Sequence, residues 1–170
     1  MKNNLFFVAS DYDVARKLSK RVAVFFDMRI FDSIEMFEFD HTPRKINEVF
    51  NEFGESYIQK QMRSIVKMQL DFSDSVFVFD SKYLSCLDDL YKDVISQNLV
   101  IFLNNKNNYI DIKTKINLLT NCCDIAVDAT NIEEDELFEN ILSEIKTHYN
   151  LGGWHGWKYR KKILWCRLYN

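Results

Sequence analysis

Near its start the chain reads NLFFVASDYDVARKLSK, residues 4–20. An apolar run ends at Ala9 and a helical pattern begins around Val14, so Ser10, Asp11, Tyr12 and Asp13 form the join. A join that cradles phosphate uses glycines, whose backbone N–H groups face the anion, and a lysine that meets its charge. This one offers two carboxylates, which repel a polyphosphate. Asp32 and Asp80 also follow apolar runs, and strands leaving one sheet edge would gather them with Asp11 and Asp13. One reading is a divalent-metal site, because hard cations take clustered carboxylate oxygens. The other is an N-cap pair, a turn residue and a solvated strand end, with Lys82 pairing to one of the acids. Ser10 and Ser81 have no histidine in a context that makes a nucleophilic triad. His41, His148 and His155 are scattered, which suggests no zinc site, and His155, between glycine and tryptophan, reads as a surface residue.

The elements that would position these residues alternate. Asn4–Ala9 suits a buried strand, and Asp13–Arg21 a helix opened by an acidic N-cap, with Val14 and Leu18 four apart. Residues 22–32 are dense in Val and Phe and hold one strand near Arg29–Ser33. Thr42 and Pro43 mark a turn. From Arg44 the spacing predicts a helix with Ile46, Val49, Phe50 and Phe53 on one face, broken by Gly54. A second helix follows through Tyr57, Ile58, Met62, Ile65 and Leu70. Ser75–Phe79 and Asn98–Asn104 are continuous apolar runs of the kind buried in a parallel sheet, and Tyr83–Gln97 between them reads as one helix. Asp111–Leu119 reads as a short helix, residues 123–129 as a strand, and Asn131–Tyr149 as a closing helix. Thr130 with Glu133, or Asn131 with Glu134, would make its capping box. Strands alternating with helices predict an α/β protein: three layers, α/β/α, around a five-stranded, mainly parallel sheet. In such sheets ligands lie outside the carboxyl ends of the strands.

The totals fit one domain. The chain has 170 residues, 47% hydrophobic, with 14 Phe but only four Gly and one Pro, which favours long regular elements. No apolar run approaches the roughly 20 residues of a membrane span, and MKNNLFFVAS reads as too short for a signal peptide. Cys86, Cys122, Cys123 and Cys166 form no CxxC pair and read as reduced thiols, so a cytoplasmic protein is expected. Residues 1–150 carry 17 basic against 25 acidic residues, a net −8, whereas 151–170 carry five basic and no acidic ones, and all three Trp. The chain thus divides into a body, 1–150, and a Trp-rich basic extension, 151–170. Trp154, Trp157, Tyr159 and Trp165 interleave with Lys158, Arg160, Lys161, Lys162 and Arg167. Such a segment packs on its own domain or a second copy, or meets a protein partner. Stacking on nucleic acid or an anionic membrane is the remaining chemistry, and an acidic body disfavours a general nucleic-acid binder.

Three stretches resemble the shikimate kinase family. KINEVFNEFGESYIQKQM (45–62) is similar to its helix–Gly-Glu–helix segment, CDIAVDATNIEEDELFENILSEI (123–145) to its last strand and helix, and RKLSKRVAVFF to the end of its first helix. The resemblance covers roughly residues 4–149 and implies a P-loop kinase fold. The family's phosphate loop, GxxGxGK[ST], falls on Ser10, Asp11, Tyr12 and Asp13, a shortened and vestigial nucleotide position in which Asp11 stands about where the lysine belongs. Its Asp-x-Asp after the second strand keeps Asp32, the magnesium position, but has Ile34 at the substrate position. Its carboxylate-gripping arginine aligns with Gln59, which brings no charge and no bidentate fork. Its three-glycine turn aligns with Asp80, Ser81 and Lys82. Its arginine-bearing lid aligns with residues 105–121, which hold Lys106, Lys113 and Lys115 but no arginine, and whose lysines suit a solvated helix face. Phosphoryl transfer depends on positioned positive charge and metal. The expectation is therefore a pseudoenzyme, a binding or regulatory domain that requires no cofactor. The alternatives are an ATP- and magnesium-dependent small-molecule kinase with an altered loop, and an assembly protein acting through 151–170, as an oligomer or with a protein partner.

Overall fold

A computed structural model describes residues 3–104 and 123–149. Its five strands are β1 (Asn4–Ala9), β2 (Arg29–Asp32), β3 (Ser75–Asp80), β4 (Asn98–Asn104) and β5 (Ile125–Asp128). They form one sheet in the order β2-β3-β1-β4-β5, and every pairing is parallel. The helices are α1 (Tyr12–Phe26), α2 (Ser33–Asp40), α3 (Ile46–Phe53), α4 (Glu55–Leu70), α5 (Leu90–Gln97) and α6 (Glu134–His148). No helix among the described residues is long and apolar enough to cross a membrane.

The central strands are apolar throughout because both faces of the sheet are covered. Side chains alternate between two cores. Leu5, Phe7, Val76, Val78, Leu99 and Ile101 face α1 and α6. Phe6, Val8, Phe77, Phe79, Val100 and Phe102 face the other layer, built by α2, α3, α4 and α5. This is the three-layer α/β/α arrangement expected from the strand–helix alternation.

Three local expectations change. Residues 33–40, SIEMFEFD, form a helix that the sequence pattern conceals: its apolar residues nearly alternate, and only Ser33 and Phe37 are buried. The expected helix Tyr83–Gln97 is divided into a 3-10 turn, Ser81–Cys86, and α5. Arg63 of α4 donates from Nη1 to the carbonyls of Cys86 (3.0 Å) and Leu87 (3.4 Å), and Asp88 adopts a positive φ of 31° at the break. Neither expected capping box opens α6. Its N-cap is Glu133, without a side-chain cap bond, and Asn131 before it has a φ of 57°. The expected helix at Asp111–Leu119 and the extension 151–170 lie outside the described residues.

Gly54 joins α3 to α4 with φ 79° and ψ 176°. That conformation is essentially reserved to glycine, and side-chain-bearing residues there cost of order 1–3 kcal/mol. An added Cβ would meet nothing within 4 Å, so any penalty is purely one of backbone conformation. Gly54→Ala is expected to lower unfolding free energy by about 1–3 kcal/mol in urea titrations. An unchanged midpoint would mean the joint relaxes to negative φ.

Candidate functional site at the carboxyl edge of the sheet

The edge is assembled by topology. Parallel strands with right-handed crossovers send β1, β2, β3 and β5 out on one side, and β3 lies between β2 and β1. Each of these exits ends in an aspartate that closes its own turn. Asp11 Oδ1 accepts from the N–H groups of Asp13 (3.1 Å) and Val14 (3.3 Å). Asp32 Oδ1 accepts from Ile34 and Glu35, both at 3.0 Å. Asp80 Oδ1 accepts from Lys82 N–H (2.9 Å), and Asp128 Oδ1 from Thr130 N–H (3.0 Å). These N–H groups are the donors a bound anion would use at such an edge.

Between β1 and α1 stand only Ser10 and Asp11. Ser10 N–H bonds to the carbonyl of Leu103 (3.2 Å), which ties the join to β4. Asp11 is the N-cap of α1, and Asp13 adds a second carboxylate to the first turn, in solvent. Tyr12 is half-buried, and its hydroxyl donates to Asp32 Oδ1. Burial above all, then the bond to Asp32, holds that hydroxyl far above its ordinary pKa. It is a permanent donor.

Asp32 is 3% exposed. Besides its N-cap bonds and Tyr12, its Oδ2 lies 3.0 Å from Arg16 Nε. Arg16 also pairs with Glu35, whose Oε1 accepts from Lys20 Nζ at 3.1 Å. The bond from Arg16 is the main reason that Glu35 is held below the usual carboxylate range. Tyr12, Arg16, Asp32 and Glu35 thus bind α1 to the start of α2. The sequence singled out neither Arg16 nor Glu35. The spacing of Arg16 to Asp32 is uninformative until α1 is known to pack over β3, beside β2, whereas Glu35, three residues after Asp32, stands at the spacing of a helix start.

Ile34, half-buried, contributes its N–H to Asp32. Gln59 donates to Glu55 Oε1 (2.8 Å) and more weakly to Ser85 Oγ (3.4 Å). The positive fork one helical turn on, Arg63, is engaged by Cys86, Leu87 and Asp89. Asp80 and Ser81 are buried and Lys82 is exposed. Tyr83 is pushed up to about 12, by burial first and then by the charges of Asp80 and Glu55. Burial pushes the Cys86 thiol up to about 11, which leaves it protonated at neutral pH. Lys106, Lys113 and Lys115 lie outside the described residues.

Asp80 lies within electrostatic reach of Asp32 and Asp13. Burial raises the Asp80 carboxyl above its ordinary value, and the charges of Asp32 and Asp13 push the same way. Even so, among the described residues no three His, Cys, Asp or Glu side chains are grouped to hold a metal ion. A folded-state pKa raised above the unfolded one means the native state holds the proton more tightly. Stability from this group is complete below the unfolded pKa of about 3.9 and is lost as pH rises through the higher folded value. Asp80→Asn keeps an oxygen for Lys82 N–H and removes that loss. The variant is expected to be more stable than the parent at pH 7 and to match it at pH 3, in urea midpoints taken at both. A less stable variant at pH 7 would show that the Asp80 charge is needed.

No protein-family model matches this chain, and no curated protein does. Solved structures do. The chain is similar to shikimate kinase from Acinetobacter baumannii, solved in complex with shikimate, with a TM-score of 0.71 at 12% identity over 89% of this chain and 96% of that one. For shikimate kinase from Aquifex aeolicus the TM-score is 0.64 at 14% identity, covering 88% and 99% of the two chains. For the enzyme from Bacteroides thetaiotaomicron it is 0.55 at 16%, covering 98% of each. At these identities the likeness is one of fold: the chain has the three-layer, P-loop kinase-like architecture of the shikimate kinases.

Proposed function

We propose that this is a shikimate-kinase-like domain that does not transfer phosphate and works as a binding or regulatory domain. One observation carries the reading: the Asp11 carboxylate sits on the N–H groups that open α1, two residues after β1. A helix N-terminus attracts anions through its unpaired N–H groups and its dipole. Here the chain supplies that anion itself. A phosphate brought beside Asp11 and Asp13 would meet repulsion of about 4 kcal/mol per charge pair at 4 Å and an effective dielectric of about 20.

The donor set does not suit magnesium ATP elsewhere either. Asp32 Oδ1 is taken up by Tyr12 and the start of α2, and Oδ2 lies 3.0 Å from Arg16 Nε in an ion pair that makes no hydrogen bond. At the position that would grip a carboxylate, Gln59 faces Glu55 and carries no charge. No catalytic step is therefore assigned to these residues.

Calorimetric titration with magnesium ATP, with and without shikimate, tests the reading. The expected result is no saturable heat and no thermal shift at millimolar ligand. Saturable binding that Asp32→Asn weakens would overturn it, in favour of a small-molecule kinase with an altered phosphate site.

A further inference from the structure

The sequence places Phe50 and Phe53 on one face of α3 with Ile46 and Val49. In the folded chain Val49 is buried, but Phe50 is 44% and Phe53 49% exposed. Phe39, at the end of α2, is 81% exposed. Three of the five large exposed hydrophobic residues among those described thus lie in residues 33–55. The same segment is strongly acidic: Glu35, Glu38, Asp40, Glu48, Glu52 and Glu55 stand against Arg44 and Lys45, a net −4. That is half of the excess negative charge of residues 1–150, in 23 positions. Glu38 and Glu52 pair with the two basic residues, and Glu35 with Arg16 and Lys20. Asp40, Glu48 and Glu55 have no ion pair among the described residues.

The chain contains one segment of complementary chemistry. Residues 151–170 carry five basic residues, no acidic one, and Trp154, Trp157 and Trp165. Reach is no obstacle. The 21 residues after Tyr149 extend up to about 70 Å, against roughly 40 Å across a domain of this size. From the exposed phenylalanines, the acidic composition of the same segment and this reach, we infer that residues 151–170 dock on the α2–α3 surface of their own chain, tryptophans on phenylalanines and cations toward Asp40, Glu48 and Glu55. Aromatic pairs at such a contact add to plain burial, and the charges set register more than affinity.

The protein carries its own probe. All three Trp lie in 151–170, so the indole fluorescence of the intact chain reports on that segment alone. The expected result is blue-shifted emission protected from acrylamide, unchanged on dilution. Phe50→Ser with Phe53→Ser, both at exposed positions, is expected to move the emission toward that of a free indole and to remove the protection. Asp40→Lys should weaken protection more at low salt than at high salt, because screening removes what the charge contributes. Circular dichroism checks that each variant remains folded. Parental emission like that of free indole would overturn the inference, and so would a blue shift that the Phe50 and Phe53 changes leave intact in a folded chain. A blue shift that disappears on dilution would also overturn it and assign the surface to a second copy. None of these readouts involves nucleotide, so this inference and the reading of the carboxyl edge fail separately.

Discussion

Asp32→Ala is expected to cost about 3 kcal/mol of stability and to lower the melting temperature by roughly 10 °C. Three losses combine. The start of α2 loses its N-cap acceptor for Ile34 and Glu35, worth about 1 kcal/mol. The Tyr12 hydroxyl, half-buried and held protonated, loses the oxygen it donates to, which costs about 1–3 kcal/mol for a donor left without a partner. The ion pair with Arg16 adds less, because the arginine side chain is 39% exposed and pairs of that kind contribute about 1 kcal/mol at most.

Two companions separate these parts. Asp32→Asn keeps an oxygen for the cap and for Tyr12 and should cost about 1 kcal/mol, mostly the ion pair. Tyr12→Phe removes the donor, so Asp32→Ala made on that background should cost less than on the parent, as expected for residues in one network. Urea midpoints of the parent and the four variants decide the matter. If Asp32→Ala and Asp32→Asn cost the same, the cap and the tyrosine contribute nothing and the charge alone matters. If Asp32→Ala is neutral, the α1–α2 connection is not held by this carboxylate. Stabilisation of the parent by magnesium ions that is absent from Asp32→Ala would return Asp32 to the metal position aligned with it by sequence.

The sheet was readable in the sequence because its strands are covered on both sides. SVFVFD and NLVIFLN can be nothing but buried in a chain with no membrane-length segment, and their parallel pairing follows from the α/β alternation, whereas their places on either side of β1 come from the structure. The acidic cap of α1 was readable for a local reason: an aspartate just before a helical period satisfies N–H groups two and three residues on. What failed to show was either masked by pattern or set by distance along the chain. α2 hides in SIEMFEFD because a helix lying on the sheet edge with one buried phenylalanine has no clear apolar stripe. The division of Tyr83–Gln97 depends on Arg63, more than 20 residues earlier. Arg16 could be joined to Asp32 only through the packing of α1 over β3, which no spacing in the sequence encodes, while Glu35, three residues after Asp32, marked a helix start that went unread.

Phe77→Ala is expected to have the largest effect of any single side-chain truncation considered, about 3–5 kcal/mol. Phe77 is fully buried at the middle of β3. It pairs in register with Phe6 of β1 on one side and Phe31 of β2 on the other. Its ring lies 5.2 Å from that of Phe6 and 6.3 Å from that of Phe79, so several aromatic neighbours would border the vacated space. These neighbours belong to strands held in a parallel ladder and cannot collapse inward far. The transfer loss and the cavity term therefore add. Against a total stability of about 5–15 kcal/mol for a domain, that approaches the unfolding threshold. Phe77→Leu, which retains most of the volume, should cost roughly 1–2 kcal/mol. Val24→Ser, at a position 82% exposed on α1, should stay within about 0.5 kcal/mol of the parent. Guanidinium titrations of the three variants should fall in that order. If Phe77→Ala cost no more than Phe77→Leu, the layer between the sheet and α4 would have to be repacking freely. A fixed aromatic core of the kind described by Phe6, Phe77 and Phe79 would then be untenable.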